Sequence, residues 1–459
     1  MLEKEISETL KSLIADKKFL EIKEFLKDFN EVDIAEMLYE LNEEDAVKIF
    51  RIIPKEPAAE IFAAMDASLQ ESIISAITDR ELGNILNELF VDDTVDLLDE
   101  MPANVVNRIL KHTDSATRAS INQLLRYGDD TAGSLMNPEF IDLKREMTVK
   151  GALVHIRKFG DSVEDISTFY VTEQNRILAG TLSLKDIILA DEATLIGDIM
   201  DQRVVFCQTS DDKEEVASMF TKYGLLAMPV VDKETRLVGI ITVDDAVTVI
   251  EEETTEDFEI MAAVTPSEDS YLKTGVFRHF ANRIPWLMIL MLSAAITGAI
   301  IDSFESKLSS LGFLIGFIPM LMNTGGNCGS QTSILVIRCL ALGELKGFDV
   351  LKAWFKEIKI SLLCGVSLAI VNFLRIFIMK YYFGGGEFAL SLVIDMALTV
   401  SISLFITVIF AKSIGCLLPV GAKKLGFDPA IMASPFITTI VDSLSLMIYF
   451  KVAQIIFNV

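Results

Sequence analysis

Histidine and cysteine are scarce in this sequence, which has 3 His and 5 Cys among 459 residues. The cysteines, at positions 207, 328, 339, 364 and 416, show no paired spacing, and four of them fall in apolar segments. This pattern argues against a disulfide framework and against a zinc site. The chain also lacks an excess of basic residues, because its formal net charge is −25. No nucleic-acid partner is therefore expected.

Acidity and hydrophobicity occupy different parts of the chain. Hydrophobic residues make up 51% of the sequence and the mean hydropathy is +0.42, despite the net charge of −25. From residue 271 onward 15 Lys and Arg outnumber 9 Asp and Glu, so the excess of acids lies before that point. We predict an acidic soluble part, which opens without a signal peptide, followed by a membrane part at 276–459.

The apolar part predicts five membrane spans, since about 20 apolar residues cross a bilayer. They are expected near 284–301, 311–342, 358–379, 389–418 and 430–457. The positive-inside rule places the soluble part in the cytoplasm, and an odd number of spans then places the C-terminus outside. The expected location is the plasma (inner) membrane. The inner side would carry Arg278, Arg283, Arg338, Lys346, Lys352, Lys356, Lys359, Lys412, Lys423 and Lys424, and the outer side Lys307, Lys380 and Lys451.

Residues 1–130 are dominated by helix signals. Segments such as "IAEMLYELNEEDAVKIFRIIP" and "ELGNILNELFVDDTVDLLDEMP" show apolar residues at helical spacing, followed by Asn, Asp or Pro that open the next helix. Short helices that recur at a regular interval favour an all-α stack. We interpret this region as a helical N-terminal regulatory domain; the alternative is a structural spacer.

The next region is an internal α/β repeat, at 131–198 and 199–250. Each copy predicts strand, helix, strand, turn, strand and helix. Each also contains the same short motif, first as Gly180-x-x-Ser183-x-x-Asp186 and again as Gly239-x-x-Thr242-x-x-Asp245. The repeat resembles a tandem pair of CBS (cystathionine-β-synthase) modules. The resemblance implies a regulatory pair in which Thr242 and Asp245 can hold the ribose of ATP beside a helix start that receives phosphate, or a pair that binds only itself.

An acidic segment, "VDDAVTVIEEETTEDFEIMAAV", leads to the membrane part and predicts a long connecting helix at 251–275. Its acids share one helical face, and like charges four residues apart repel each other. One interpretation is a solvated acidic helix. The other is a sensor, in which divalent cations neutralise this face against a second acidic surface. The acids concerned are Asp245, Glu253, Glu256 and Asp257 on this segment, Asp92 and Asp93 in the helical domain, and Asp212 and Glu214 in the second module.

The second predicted span is interrupted by a polar run, "NTGGNCGSQTS", from Asn323 to Ser333. Irregular polar backbone is tolerated at membrane depth only against protein or a water-filled path. Gly325 and Gly326 permit close helix approach, and Asn327 would be a poor lipid-facing residue. The run therefore indicates a pathway lining, with simple helix packing as the alternative.

The last predicted span contains an aspartate, Asp442, within an apolar stretch. Ser434 and Thr438 precede it at intervals of four and share its helical face, and Pro435 is expected to free a backbone carbonyl nearby. A lone intramembrane carboxylate with hydroxyls and carbonyls suits Mg²⁺, which keeps much of its water. Asp395 is the competing carboxylate, and Arg375 is a candidate partner for an acid.

The whole chain resembles the MgtE magnesium-transporter family. The matching segments are "PMLMNTGGNCGSQTSILVIRCLALGEL", "DPAIMASPFITTIVDSLSLMIYF", "GIITVDDAV" and "EEETTEDF". The resemblance implies a homodimer in the lipid bilayer whose second and fifth spans line one pore, with Asp442 as the pore carboxylate. It also implies regulatory Mg²⁺ ligands at Asp92 or Asp93, Asp212, Glu214, Asp245, Glu253, Glu256 and Asp257. Gly224 and Thr248 stand where relatives can have acids.

The predicted fold is multidomain: an all-α N-terminal helical stack, an α/β tandem CBS pair, a long connecting helix and a polytopic α-helical membrane domain with five spans. The predicted function is not enzymatic. It is a Mg²⁺-selective gated channel that imports magnesium and is closed by cytosolic Mg²⁺ on the acidic domains. The alternatives are a CBS-regulated transporter of another hard divalent cation and a membrane-anchored adenine-nucleotide sensor.

Overall fold

The chain folds into two compact units, residues 1–250 and 251–459. The computed structural model describes residues 2–267, 271, 272, 274–345, 347–382 and 389–458. The boundary falls within one helix, α16 (Val243–Met261), which begins in the first unit and ends in the second.

Short helices form the first part of the chain, as predicted. Several begin at a side chain that accepts a backbone N–H, such as Asn30, Asn42 and Asp66, which satisfies an otherwise unpaired donor of the first turn. Their apolar faces form one buried core around Leu38, Phe62 and similar residues. The helices described are α1 (Leu2–Ala15), α2 (Phe19–Leu26), α3 (Glu31–Tyr39), α4 (Glu43–Phe50), α5 (Lys55–Ala63), α6 (Ala67–Ala76), α7 (Asp79–Leu86), α8 (Val91–Glu100), α9 (Ala103–His112) and α10 (Ser115–Leu124).

The repeat forms two similar three-stranded sheets. In each sheet the first strand is parallel to the second, and the third is antiparallel to the second. The first module contains β1 (Asp142–Lys144), α12 (Val149–Phe159), β2 (Thr168–Thr172), β3 (Leu178–Ser183) and α13 (Leu184–Leu189). The second contains β4 (Cys207–Gln208), α15 (Lys213–Tyr223), β5 (Ala227–Val231), β6 (Leu237–Thr242) and the start of α16.

Two short helices join the modules by packing across them. α11 (Ala132–Leu135) precedes the first module in sequence but packs on the second, where the Ala132 N–H donates to the carbonyl of Asp211 at 2.7 Å. α14 (Ile196–Ile199) precedes the second module and packs on the first, where the Gly197 N–H donates to the carbonyl of Arg145 at 3.0 Å. The modules therefore depend on each other for their cores. The core of the helical domain also continues into the second module.

The connecting helix is shorter than expected at its C-terminal end. A helix was predicted at 251–275, whereas α16 is continuous from Val243 but ends at Met261. Ala263 has a φ of 56°, and a left-handed residue commonly follows a helix end. Pro266 comes soon after it, and proline disfavours the helical conformation in the residue before it.

Among the described residues of the second unit there are five long helices. They are α17 (Val276–Leu308), α18 (Ile318–Ala341), α19 (Asp349–Phe377), α20 (Leu390–Lys424) and α21 (Ser434–Phe457). Within the described part of the chain, four segments are long and apolar enough to cross a membrane: Val276–Phe304, Asp349–Tyr382, Leu390–Lys424 and Pro429–Phe457. Five were predicted. α18 is long enough to cross a membrane, but its polar run lowers its mean hydropathy, so composition alone does not identify it as a membrane span.

The polar run changes the composition of the second predicted span, but it does not interrupt the helical backbone. α18 is helical without a break from Ile318 to Ala341, through the whole polar run. Its peptide groups are thus satisfied within the helix, and only the side chains are polar. α18 packs against α20 and α21, while α17 packs against α21 and α19 against α20. Lys412, which was predicted in a cytoplasmic connection, is instead buried within α20.

Candidate functional site

The polar run of α18 presents two different surfaces. Gly325, Gly326 and Gly329 are buried, whereas Asn323, Asn327 and Gln331 are exposed. The three amide residues are four positions apart, so they form one stripe along the helix. The glycines face the neighbouring helices, and the amides face away from them.

Two glycines allow α18 to contact its neighbours closely. A Cβ atom at Gly325 would lie 2.8 Å from the hydroxyl of Ser445 and 2.7 Å from a methyl carbon of Thr407. At Gly326 it would lie 2.8 Å from a methyl carbon of Thr438 and 3.7 Å from a carboxylate oxygen of Asp442. Any larger residue at these positions would displace α20 or α21. The glycines therefore bring the polar run against the face of α21 that carries Asp442.

Asp442 is half-buried on α21. Within the described residues no Lys, Arg or His lies within ion-pair distance of its carboxylate, which leaves the negative charge available to a cation. Thr438 lies one turn before it, but the Thr438 hydroxyl donates to the carbonyl of Pro435 at 2.9 Å. The backbone of Ser434 begins α21, and its side chain lies outside the described residues.

Pro435 was predicted to free a backbone carbonyl nearby, which requires a position inside the helix. It lies in the first turn of α21, where its missing N–H costs no hydrogen bond. Its carbonyl accepts hydroxyls from Thr438 and from Thr439, the latter at 3.0 Å. The carbonyl is thus satisfied by side chains of the next turn.

The competing polar residues lie elsewhere in the helix bundle. Asp395 is partly buried near the start of α20. Arg375 donates to the side-chain oxygen of Asn372 at 3.0 Å, and its guanidinium makes no ion pair with an acid among the residues that the structure describes. Neither residue is among the nearest neighbours of Gly325 and Gly326.

A second candidate site is formed by acidic side chains of the first unit. Asp92 and Asp93 lie in the first turn of α8, and Asp92 is only 8% exposed. The Glu139 carboxylate accepts the Val91 N–H at 3.1 Å. The Glu164 carboxylate accepts the side-chain amide of Asn137 at 2.9 Å. Both glutamates were missed in the sequence, because nothing in their local pattern brings them to α8.

The pKa values of these acids show how close the charges are. Burial, followed by the charges of Asp93, Glu164 and Asp245, raises the pKa of Asp92 to about 9. Burial and Asp245 raise that of Asp93 to about 6, and burial raises that of Glu164 to about 7 despite its hydrogen bond from Asn137. The pKa of Asp245 is raised by burial. These acids from the helical domain and both modules resist ionisation together.

The arrangement suits a hydrated cation better than a tightly chelated one. Among the described residues no three acidic, His or Cys side chains are close enough to hold a metal ion directly. Mg²⁺ is commonly held by one or two carboxylates and retained waters, and the acids around Asp92 offer such oxygens.

Asp212 and Glu214 lie outside this group. Both are exposed at the start of α15, where the Asp212 carboxylate accepts the Glu214 N–H at 2.9 Å as a helix cap. Neither contributes to the pKa shifts of Asp92, Asp93 or Asp245.

The far end of α16 forms a separate acidic group. Burial, then the charges of Asp428, Glu253 and Glu256, raise the pKa of Asp257 to about 6. Asp428 precedes the final membrane segment, and its carboxylate accepts the Ala430 N–H at 2.7 Å. The sequence placed Glu253, Glu256 and Asp257 on one face but did not indicate Asp428. The structure thus connects the acidic helix with the segment that leads into α21.

The two repeat motifs differ in accessibility. The Thr242 hydroxyl donates to the Asp245 carboxylate at 2.6 Å, and Thr242 is only 3% exposed. The Ser183 hydroxyl donates to Asp186 at 2.6 Å in the same way, but this pair is exposed. In the pair singled out in the sequence, Thr242 is thus buried and Asp245 is partly buried.

Fold and sites together define a polytopic helical membrane protein with a candidate cation path and a regulatory module pair. Models of three protein families match the chain: "Divalent cation transporter" (MgtE) at residues 318–452, "MgtE intracellular N domain" at 29–130 and "CBS domain" at 196–252.

Known proteins agree with this class. "Magnesium transporter MgtE" of Thermus thermophilus is 37% identical to this chain, over 80% of this chain and 79% of its own length. "Magnesium transporter MgtE" of Enterococcus faecalis is 34% identical, over 74% of this chain and 72% of its own length. A crystal structure of the cytosolic domain of the Mg²⁺ channel MgtE in complex with ATP matches 53% of this chain and 99% of its own, at 34% identity and a TM-score of 0.51. The chain belongs to the MgtE family of divalent cation transporters.

Proposed function

We propose that this chain is a gated, Mg²⁺-selective channel that imports magnesium into the cytoplasm. The observation that carries the proposal is the Asp442 carboxylate, which has no basic partner among the described residues and lies against Gly326 of α18. An intramembrane carboxylate is costly unless it serves a polar path. A hydrated divalent cation is the partner that its charge and its hydroxyl-bearing neighbours favour.

α18 is the fifth crossing segment in this proposal. Its peptide groups are satisfied along its length, and its glycine face is covered by α20 and α21. The exposed amides of Asn323, Asn327 and Gln331 would be unfavourable against lipid. They are favourable if they line a water-filled path shared with a second copy, which supports a homodimer with one central pore.

The five crossings define the orientation. An odd number leaves the N-terminal domains and the C-terminus on opposite sides of the plasma (inner) membrane, with the N-terminal domains in the cytoplasm and the C-terminus outside. Lys423 and Lys424 at the end of α20 lie on the cytoplasmic side in this arrangement, in agreement with the positive-inside rule.

Cytosolic Mg²⁺ closes the channel by neutralising the two acidic groups. Around Asp92, ionised carboxylates from the helical domain and both modules repel one another, and a cation among them offsets that repulsion. At the end of α16, Asp257 and Asp428 interact in the same way next to the segment that leads into α21. When Mg²⁺ is scarce, repulsion separates these surfaces and the pore opens.

Flux into liposomes tests this function. The full chain and a chain that begins at residue 262 are reconstituted, and Mg²⁺ entry is followed with a fluorescent indicator alongside Ca²⁺ and Co²⁺. We expect both proteins to conduct Mg²⁺, and only the full chain to be inhibited by Mg²⁺ on the cytoplasmic side. Empty-liposome rates for both would reject a channel, and equal rates for all three ions would reject Mg²⁺ selectivity.

A second ligand, an adenine nucleotide, is favoured by the exposed Ser183–Asp186 pair. We propose that ATP binds at the first module, since Thr242 of the second is buried and Asp245 beside it is partly buried. ATP should raise the melting temperature of residues 1–261, and Asp186→Asn should reduce the rise more than Asp245→Asn. No change at millimolar ATP would leave the modules as a Mg²⁺-sensing pair alone.

A further inference from the structure

A buried ion pair joins α19 and α20 beside the polar run of α18. The Lys412 ammonium lies 3.5 Å from the Glu357 carboxylate, and their side chains are 8% and 15% exposed. Thr332 of α18 contacts both: its hydroxyl donates to Glu357 at 2.9 Å and lies 3.1 Å from the Lys412 nitrogen. Three helices therefore meet at one pair of opposite charges.

This pair lies next to a close approach of α18 and α20. Gly415 is one turn after Lys412 and faces the carbonyl of Gly329, which is one turn before Thr332, with no room for a Cβ between them. The adjacent Ser333 hydroxyl donates at 2.6 Å to the carbonyl of Met432, just before α21. The pair is thus held rigidly at the end of the polar run. Gly326, which lies against Asp442, is six residues away, or about 9 Å of helix rise.

A charge at this depth acts on a cation in the path. Burial weakens the screening of the pair by water, so the effect of either charge extends further than it would at the surface. As a pair the two charges largely cancel. Without Glu357 the ammonium would repel a divalent cation, and without Lys412 the carboxylate would attract and retain it.

We propose that Glu357 and Lys412 are positioning residues that set the electrostatic potential of the cation path along α18. The proposal rests on the proposed function of Mg²⁺ conduction. In this role Glu357 neutralises the charge of Lys412, and the hydroxyl of Thr332 fixes the position of the pair relative to α18. After Asp442, Mg²⁺ in the path then experiences a near-neutral electrostatic potential, which neither repels it nor retains it.

Opposite shifts of the Mg²⁺ dependence test this role. In liposomes we expect Glu357→Gln to raise the Mg²⁺ concentration for half-maximal flux on the order of tenfold. Lys412→Met should lower that concentration and also lower the maximal rate, because the cation leaves more slowly. The double variant should return both values towards those of the wild type. Lys424→Met, which removes an exposed charge from the same helix, is the matched control and should change neither.

A purely structural ion pair gives a different result. Both single variants would then lose maximal rate in proportion to a lower melting temperature, without opposite shifts in half-maximal concentration, and that outcome overturns the proposal. Absence of Mg²⁺ flux in the wild type would reject the proposed function instead. The pairing would then be judged by the melting temperature of the solubilised full chain. If the melting temperatures of the two single variants equalled that of the double variant, the pairing of Glu357 with Lys412 would be rejected.

Discussion

At the scale of single residues, Asp442 and Asp92 show two ways in which this protein keeps a carboxylate from bulk water. Asp442 is half-buried among apolar and hydroxyl side chains, with no cation of the described chain to pair with it. Asp92 is buried among other acids. We therefore expect Asp442 to attract a passing cation, and Asp92 to need either a proton or a bound cation.

The first prediction concerns conduction through Asp442. Asp442→Asn keeps the shape of the side chain and removes its charge, so Mg²⁺ flux in liposomes should fall at least tenfold. This fall corresponds to an increase of about 1.4 kcal/mol or more in the activation free energy of conduction. Asp395→Asn is the matched control, since it removes the competing partly buried carboxylate, and it should retain most of the flux. Equal flux in wild type and Asp442→Asn would exclude this carboxylate from the path.

The second prediction concerns pH. The folded-state pKa values of Asp92, Asp93 and Glu164 are raised to about 9, 6 and 7, whereas unfolded Asp and Glu titrate near pH 4. The folded state thus binds more protons than the unfolded state between these values, so stability falls as pH rises. In metal-free buffer, the melting temperature of residues 1–261 should decrease from pH 5 to pH 9.

Two comparisons sharpen this pH test. Asp92→Asn removes the acid with the largest shift, so it should flatten the pH dependence and stabilise the metal-free protein at pH 8 by about 1–2 kcal/mol. Added Mg²⁺ should raise the melting temperature most at high pH, where the acids are ionised. A melting temperature that climbs steadily between pH 5 and pH 8 would contradict the repulsion inferred here.

At the scale of elements, α16 connects two acidic groups along one helix. Asp245 in its first turn acts on Asp92 and Asp93 of α8, and Asp257 near its other end interacts with Asp428. About 18 Å of helix rise separates the two aspartates. Each end of this helix thus belongs to a different acidic group.

The third prediction concerns the membrane-proximal end of α16. Asp257→Asn combined with Asp428→Asn should raise the cytoplasmic Mg²⁺ concentration that half-inhibits flux by about tenfold, because a bridging cation loses two ligands. Glu251→Gln removes an exposed charge from the same helix and should leave inhibition unchanged. Inhibition curves that coincide for wild type, the double variant and the control would separate these acids from gating.

Element type was predictable wherever local periodicity carried the signal. The helices of residues 1–130 and the alternating strands and helices of the repeat follow from spacing of apolar residues and from capping side chains such as Asn30 and Asp66. The polar run of α18 was misjudged as irregular because glycine and asparagine are weak helix formers in water. In the structure the glycine face is covered by α20 and α21, and packing overrides that propensity.

At the scale of the whole molecule, the first part of the chain carries a large excess of acidic residues, which repel one another. The part before residue 271 contains 57 Asp and Glu and 26 Lys and Arg, a net charge of −31. Some of these acids are buried between the helical domain and the two modules. Such a structure responds strongly to divalent cations, because neutralisation both removes repulsion and permits burial.

The fourth prediction concerns cation-dependent compaction. Mg²⁺ should slow protease cleavage between α10 and α11 of the full chain, where the helical domain joins the modules, by tenfold or more at millimolar concentrations, as expected for ligand binding well above its dissociation constant. Asp92→Asn with Asp93→Asn should abolish the Mg²⁺ dependence. Asp212→Asn, at an exposed helix cap outside the group, serves as the control. Cleavage that ignores Mg²⁺ in the wild type would leave the acids as a solvated surface.

The sequence by itself determined the elements and the local groups of this protein. The helical spacing, the repeated motif, the glycine-rich run and the lone Asp442 all depend on residues within one or two turns of each other. Only the tertiary structure decided which distant groups meet. It brought Glu139, Glu164 and Asp428 to the acidic groups, left Asp212 and Glu214 at the surface, and paired Lys412 with Glu357. The physical reason is that a local pattern fixes the face on which a side chain lies, whereas its partner depends on the path of the chain between them.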